Sequence, residues 1–259
     1  MSIKYFDNAS TTKVDSRVLE TMLPYFNEVY GNASSNHVFG KTSKKAIELA
    51  RKQVSKLINA NENEIIFTSG ATESINLALK GFIESNYDKG NHIITVKTEH
   101  KAVLSTCEYL ETKGIEITYL DVDNSGLISI NDLKKAIRKD TVLICVMFVN
   151  NETGIIQPIN EIGLIARENN ITFFSDATQA VGKIKVDVES DNIRVQWSRH
   201  TVEKAVFHDQ APCIGVIDGG ISINKQSNRI RANCNRVENG LFGVTTKVCR
   251  TLVVGVWSA

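Results

Sequence analysis

The sequence predicts an α/β protein with a mainly parallel sheet covered by helices on both faces. Short, continuous apolar segments alternate with amphipathic helical segments between residues 64 and 175, which is typical of strands buried on both sides. Polar clusters follow four of these apolar segments, at the strand ends where ligands collect in such sheets. With 259 residues, 42% hydrophobic and 23% charged, the chain can bury one large core.

The elements are predicted in order from the spacing of apolar residues. A stripe at helical spacing over residues 41–59 predicts the first long helix. The apolar run at 142–149 is too short to span a bilayer but suits a fully buried strand. The other strand candidates are 64–67, 92–96, 116–120 and 171–175, and the later helical segments are 73–85, 101–112, 130–137 and 159–168.

Charge and cysteine usage narrow the function classes. A net charge of +1 favours neither nucleic acid nor an acidic membrane surface as a partner. The five cysteines form no Cys-x-x-Cys pair and have no metal-ligand spacing with the five histidines. Because their number is odd and no signal peptide is found, we expect a cytoplasmic protein.

One segment nearly matches a calcium-binding loop. Acidic and polar residues between Asp121 and Asp132 follow the spacing of the helix–loop–helix calcium motif. The segment follows a predicted strand rather than a helix, and its twelfth position is Asp132 instead of a bidentate glutamate. A turn into a helix that begins near Ile130 explains the segment better.

A turn of small residues predicts a phosphate site. Ser69, Gly70, Ala71 and Thr72 connect an apolar strand to an amphipathic helix, and such a turn lets a phosphate approach the unpaired N–H groups of the helix start. Alone, the segment is equally an ordinary strand-to-helix turn. Three more polar clusters follow strands, so a shared site is expected; they lie at 98–100, 150–152 and 176–179.

Several motifs follow one another along the first part of the chain. They are Tyr5-Phe6-Asp7-Asn8-Ala9, Gly31-Asn32-Ala33-Ser34-Ser35, Phe67-Thr68-Ser69-Gly70-Ala71-Thr72-Glu73, Thr98-Glu99-His100-Lys101, Asn150-Asn151-Glu152-Thr153-Gly154 and Asp176-Ala177-Thr178-Gln179. Together they resemble the cysteine desulfurases, the NifS/IscS-like pyridoxal-phosphate (PLP) enzymes of the class-V aminotransferase family. The resemblance covers residues 1 to about 193. It implies the large domain of a fold-type I PLP-dependent transferase.

The resemblance assigns residues to both ends of the cofactor. Ala71 and Thr72 would bind the phosphate through the backbone and the hydroxyl group. Asp176 would pair with the protonated pyridine nitrogen, which lets the ring accept carbanion electrons. The alternative for Asp176 is a solvated residue or a helix cap.

The resemblance also places three polar side chains around the ring. His100 would stack on the ring face and transfer protons, since imidazole titrates near neutrality. Asn151 and Gln179 would hydrogen-bond to the phenolic oxygen of the ring or to the substrate carboxylate. The alternatives are a structural histidine and polar side chains that satisfy loop backbone.

The pattern of the family changes after about residue 193. The family's Ser-x-His-Lys segment corresponds to residues 198–201, which puts Thr201 where the lysine that bonds to PLP belongs. A shifted register makes Lys204 the candidate, and a surface lysine is the alternative. Thr245 is a weaker match to the threonine that reaches the phosphate of the neighbouring subunit. A frameshift, a degenerate copy or a truncation would each produce this change.

Three segments are expected from the resemblance. Residues 1–20 form an N-terminal segment that would pack near a small C-terminal domain, residues 21–193 form the PLP-binding large domain, and residues 194–259 are its divergent remainder. The family's small domain, with its nucleophilic cysteine and an arginine, is expected to be missing. Cys213, Cys234 and Cys249 do not match that cysteine.

The implied reaction converts L-cysteine to L-alanine and transfers sulfur through an enzyme persulfide, for iron–sulfur cluster or thio-cofactor assembly. The implied partners are L-cysteine or a related amino acid, a second copy of the chain in a homodimer, and a sulfur-acceptor scaffold protein. Without the small domain, we expect persulfide formation to be impaired. Two alternatives stay open: a non-catalytic homologue that binds PLP or a partner, and another fold-type I enzyme such as a selenocysteine lyase or an aminotransferase.

Overall fold

The computed structural model describes residues 3–8 and 11–193, together with three short strands at 213–214, 223–224 and 252–254. The strands are β1 (Ile65–Phe67), β2 (His92–Val96), β3 (Glu116–Leu120), β4 (Thr141–Cys145), β5 (Thr172–Phe174), β6 (Cys213–Ile214), β7 (Ile223–Asn224) and β8 (Leu252–Val254). The helices are α1 (Ser16–Met22), α2 (Pro24–Asn27), α3 (Val38–Leu57), α4 (Ala71–Asn86), α5 (Lys101–Glu111), α6 (Ile130–Ala136) and α7 (Ile159–Glu168), with 3₁₀ turns at Glu62–Glu64 and Tyr87–Lys89.

A four-stranded parallel sheet forms the centre of the described part. Its strand order is β3-β2-β4-β5, and every neighbouring pair is parallel. β1 instead pairs in parallel with β8, while β6 and β7 form an antiparallel pair. All side chains of β2 and β4 are buried, as continuous apolar strands require when helices cover both faces. The predicted α/β class with a parallel sheet is confirmed.

The core has one cluster on each face of this sheet. Ile93 packs with residues of α4 and α5, whereas its neighbour Ile94 packs with residues of α6 and α7. Leu143 and Ile144 on β4 divide in the same way, because successive strand residues point to opposite faces. These four side chains are at most 1% exposed. The sheet therefore holds its strand ends, and the residues that follow them, in a fixed order.

The strand predicted at 142–149 is shorter in the structure. β4 ends at Cys145, but the next residues still bond to the neighbouring chain segment. The N–H of Val146 donates to the carbonyl of Phe174 on β5, and the N–H of Phe148 donates to the carbonyl of Asp176 just beyond β5. On its other side β4 loses its neighbour, since β2 ends at Val96. The apolar run is thus buried as far as Phe148, and beyond Cys145 the sheet ladder continues only on the side of β5.

The calcium-like segment forms a turn into α6, as preferred from the sequence. Asp123 Oδ1 accepts hydrogen bonds from Ser125 N, Ser125 Oγ and Leu127 N at 2.8, 2.6 and 3.0 Å. Gly126 has a φ of +80°, a left-handed conformation that glycine adopts without strain. Ser129 then caps α6 by accepting the N–H of Asp132.

In the described segments, none of the helices has the length and apolar character needed to cross a membrane. The same residues contain no group of three or more histidine, cysteine, aspartate or glutamate side chains that could hold a metal ion.

Candidate active site

Three polar clusters meet at one edge of the sheet. They follow β2, β4 and β5, which are neighbouring parallel strands, so their carboxyl ends point the same way. The fourth cluster, at the start of α4, shares a cleft of about 330 Å³ with the cluster after β2, because Thr72 and His100 both line it. The rest of the cleft is lined by Asn76, Lys101, Ala102, Ser105 and Thr106. Among the described residues the cleft thus brings together two of the four clusters, and a site shared by all four stays a prediction.

The start of α4 offers unpaired backbone N–H groups to this cleft. Gly70 occupies the N-cap position, and no side chain accepts a hydrogen bond from the first turn there. The preceding turn is held by a 2.6 Å hydrogen bond between the buried hydroxyls of Thr68 and Ser74, and by the Glu73 carboxylate, which accepts the N–H of Ser69. An ordered but uncapped end of a 16-residue helix is suited to binding an anion.

His100 caps the second helix at the cleft. Its Nδ1 atom accepts the N–H of Ala102 at 3.1 Å and closes the first turn of α5. A neutral His100 must then carry its proton on Nε2, because Nδ1 acts as the acceptor. The cap fixes the ring orientation while leaving Nε2 as the group that can exchange protons with a ligand.

Asp176 lies just beyond β5 with one carboxylate oxygen engaged. Its Oδ1 accepts hydrogen bonds from Thr178 N at 3.0 Å and from Thr178 Oγ1 at 2.6 Å. Within the residues that the structure describes, these bonds leave Oδ2 for a proton carried by a ligand. The pKa of Glu99 is raised by its burial and, to a smaller extent, by the charge of Asp176.

The loop after β4 is organised by Asn150 rather than by Asn151. Asn150 Nδ2 donates to Thr98 O at 3.0 Å, and Asn150 Oδ1 accepts the N–H groups of Glu152 and Thr153. Asn151 is half-buried next to it. The predicted Gln179 is half-buried as well, and its Oε1 atom accepts a hydrogen bond from Lys183 Nζ.

Sequence reasoning missed Glu99 as a candidate. Its side chain is 6% exposed, and Oε1 accepts the N–H of Met147 at 2.5 Å. Burial raises the pKa of this carboxyl group well above its usual range, and the nearby Asp176 raises it further. Its position directly before His100 in a strand-end motif was the available signal.

The two cysteines whose side chains the structure describes are poor nucleophiles. Cys107 and Cys145 are fully buried on α5 and β4. Burial raises the pKa of Cys107 to about 12 and that of Cys145 well above its usual value. Both thiols therefore stay protonated at neutral pH. Lys204 and Thr245, predicted from the sequence, lie outside the described residues.

Comparison with known proteins identifies the family. The sequence profile of the family described as aminotransferase class-V matches residues 4–198. The chain belongs to the class-V aminotransferase family. This match contains all four polar clusters and ends close to the point where the sequence pattern changes.

The similar curated proteins are cysteine desulfurases named IscS. The protein from Methanosarcina thermophila is 56% identical over 189 residues, which are 73% of this chain and 47% of the relative. The protein from Neisseria gonorrhoeae is 56% identical over 200 residues, which are 76% of this chain and 50% of the relative. The chain thus spans about half the length of the curated relatives it matches.

Solved structures show the same similarity. A NifS-like protein aligns with a TM-score of 0.71 and 41% identity, covering 73% of this chain and 53% of that protein. SspA in complex with cysteine aligns with a TM-score of 0.72 and 42% identity, covering 77% of this chain and 58% of SspA. The fold of the described region is therefore that of the NifS-like enzymes, and the predicted resemblance is confirmed.

Proposed function

We propose that this chain binds PLP in the cleft between α4 and α5 and acts in a cysteine desulfurase reaction. The observation that carries the proposal is the uncapped start of α4 in the same cleft as His100, with Asp176 beyond the end of β5 at the same edge of the sheet. An anion-binding helix end, an imidazole and a carboxylate match a ligand with a phosphate and a protonated aromatic nitrogen. The membership in the class-V aminotransferase family supports PLP as that ligand.

Buried polar atoms at the same edge also fit a polar ligand. Thr98 Oγ1, Glu99 Oε2 and Ser175 Oγ are buried and lack a hydrogen-bond partner among the described residues. They lie beyond the ends of β2 and β5, on either side of β4. Such atoms are rare in folded proteins and concentrate at functional sites.

Each residue would contribute a distinct physical effect. The N–H groups of α4 and the Thr72 hydroxyl would hold the phosphate, and Asp176 Oδ2 would keep a proton on the pyridine nitrogen. Bound PLP would supply an electron sink for negative charge at the substrate Cα. His100 would stack on the ring and move a proton at Nε2. Asn151 and Gln179 would hold the phenolic oxygen or the substrate carboxylate.

The remaining groups belong to the proposal but not to the described structure. Lys204 is the proposed covalent attachment point for PLP, and Thr245 the proposed phosphate contact of a neighbouring subunit in a homodimer. L-Cysteine or a related amino acid is the proposed substrate, and a scaffold protein the proposed sulfur acceptor. The names of the IscS relatives and the cysteine bound to SspA support this substrate class. The thiol that accepts sulfur must be sought outside Cys107 and Cys145, which are buried and protonated.

The test starts from purified protein titrated with PLP. We expect a saturable change in absorbance, borohydride-dependent labelling of the peptide that contains Lys204, and release of alanine from L-cysteine. Asp176→Asn should weaken PLP binding, because a neutral amide does not stabilise the pyridinium charge. Asp121→Asn is the matched control, since Asp121 is exposed and pairs with Lys97 away from the cleft.

The outcomes separate the alternatives. PLP binding without any spectral change on adding amino acids would favour the non-catalytic homologue. A product other than alanine, formed from another amino acid, would favour a different fold-type I reaction. Absence of saturable PLP binding would refute the proposed function altogether.

A further inference from the structure

The end of β4 lacks a backbone partner on the side of β2. Ile93 pairs with Leu143 and Ile94 with Ile144, so the register places Met147 opposite position 97. β2 ends one residue earlier, and the Val96 carbonyl, which would be the ladder acceptor for Met147, accepts the N–H of Glu99 instead. The Met147 N–H must therefore find its acceptor outside the β2 ladder.

The carboxyl group of Glu99 takes the place of the missing backbone carbonyl. The Val96 carbonyl accepts the N–H of Glu99 at 3.3 Å in the turn that ends β2. This turn brings the Glu99 side chain back to β4, where Oε1 accepts the N–H of Met147 at 2.5 Å. The side chain is 6% exposed, so water does not readily replace this hydrogen bond.

The same short segment of β4 is bonded to β5 on its other side. Val146 donates to Phe174 O at 3.1 Å, and Phe148 donates to Asp176 O at 2.9 Å. Glu99 is directly followed by His100. Its carboxyl group, together with the Asn150–Thr98 hydrogen bond, thus links the strand end that carries His100 to the strand end that carries Asp176.

We propose that Glu99 is a positioning residue that sets the spacing between His100 and Asp176, the two groups assigned to the cofactor ring. The inference rests on the proposed PLP-binding function and adds a residue to it. Glu99 does not touch the ring in this proposal; it acts through the hydrogen bonds of Met147 and Phe148. Losing it would let the end of β4 move away from the turn that carries His100.

The charges around Glu99 favour its neutral form in this role. Burial and the nearby Asp176 both raise its pKa, while Cys107 from α5 and Cys145 from β4 face it as protonated thiols. A neutral Glu99 adds no second negative charge beside that of Asp176. That charge can then stabilise a protonated ring nitrogen without competition from a second carboxylate.

The test compares Glu99→Gln with Glu99→Leu in the full 259-residue chain. Glutamine keeps an oxygen that can accept the Met147 N–H, whereas leucine has a similar size but no acceptor. Glu64→Gln is the matched control, because Glu64 is 5% exposed and accepts the N–H of Asn61 at 2.8 Å away from the cleft. The readouts are amide hydrogen exchange of residues 146–149 without cofactor, the dissociation constant of PLP, and the circular dichroism of bound PLP.

We expect Glu99→Leu to raise the exchange rate of the Met147 amide and the dissociation constant of PLP by about tenfold or more, as expected for losing a buried hydrogen bond to a carboxyl group. The circular dichroism of the PLP that still binds to Glu99→Leu should also change, because His100 and Asp176 would hold the ring in a different orientation. In Glu99→Gln, the exchange rate of the Met147 amide and the dissociation constant of PLP should both stay within about threefold of those of the original protein. Glu64→Gln should leave the exchange of Met147 unchanged.

Two results would overturn the inference while leaving the proposed function intact. One is PLP binding and dichroism in Glu99→Leu that equal those of the original protein. The other is an equal rise in exchange over all strands, which would mean that Glu99 only contributes to global stability. Failure of the unaltered chain to bind PLP would instead refute the proposed function, and with it the role of Glu99 at the ring.

Discussion

Replacing Gly70 by aspartate should separate the stability of α4 from its anion-binding capacity. The helix begins after Gly70 without a side-chain cap, although four of its first N–H groups lack intrahelical partners. An aspartate would accept one of them, which adds a few tenths of a kcal/mol relative to a glycine cap. Its charge at the positive helix end adds about 0.3–1 kcal/mol. Because the carboxylate of Glu73 is close by, we expect a net gain of about 0.5 kcal/mol in the free energy of unfolding.

The same substitution should weaken PLP binding. The aspartate would occupy the N–H groups that the phosphate needs, and it would place a second negative charge beside the phosphate. Two unit charges about 4 Å apart repel by about 4 kcal/mol at an effective dielectric constant of about 20. Solvent and side-chain movement reduce this value, so we expect the dissociation constant to rise by at least about tenfold, or about 1.4 kcal/mol.

The assays are urea unfolding of the cofactor-free protein and PLP titration followed by absorbance. Gly70→Ser is the matched control, since serine supplies a cap without a charge and should reduce affinity less than aspartate. Wild-type affinity in Gly70→Asp would refute the placement of the phosphate at α4. A loss of both stability and affinity would show that the substitution damages the fold, and the capping argument would then fail.

Three further predictions concern the core and the sheet. Burial lowers the pKa of His92, whose ring is held between the hydroxyls of Thr141 and Thr118, so protonation favours the unfolded chain. The contribution of neutral His92 to the free energy of unfolding should therefore be complete above the ordinary pKa of 6.5 and fall at lower pH, by at most about 1.4 kcal/mol per pH unit. In urea unfolding, the free energy of unfolding of His92→Asn should depend less on pH between about pH 5 and 7 than that of the original protein. In the native protein at about pH 8, iodoacetamide should leave Cys107 and Cys145 unmodified until urea is added, as mapped by mass spectrometry; rapid native labelling would contradict their burial. Leu133→Ala should lower the free energy of unfolding by about 2–5 kcal/mol, because this side chain of α6 is fully buried. Leu164→Ala should lower it by about 0.5 kcal/mol or less, because Leu164 is 42% exposed. Similar urea midpoints for the two variants would disprove this difference.

Most of the fold could be predicted from the sequence because apolar runs and their spacing are local signals. β2, β3 and α7 have the predicted bounds, and each of these patterned segments is directly followed by a polar residue, namely Lys97, Asp121 and Asn169. α3 begins at Val38, three residues before the predicted start, because His37 accepts the N–H of Gly40 and caps the helix. Histidine is an uncommon N-cap, so the pattern of the sequence did not indicate it.

The parts of the site that depend on distant contacts could not be predicted. The strand-end clusters were found because the carboxyl ends of parallel strands share one edge. Glu99 was missed because its partner, Met147, is 48 residues away, and the need for that partner arises only where β2 leaves the sheet. The structural role of Asn150 was not predicted, because its partner Thr98 is 52 residues away and only the structure shows that the two residues are bonded.

The distribution of hydrogen bonds supports the proposed site at this edge of the sheet. At the opposite end, His92 is satisfied on both ring nitrogens by Thr141 and Thr118, and the first residue of β2 is fully buried without an unpaired group on its side chain. At the carboxyl ends, the described residues include an uncapped helix start and the unpartnered polar atoms of Glu99 and Ser175. Each such group lowers the stability of the fold, so a protein retains several together only where a ligand can satisfy them. The buried sheet thus supplies the stability that allows its polar edge to remain ready for a ligand.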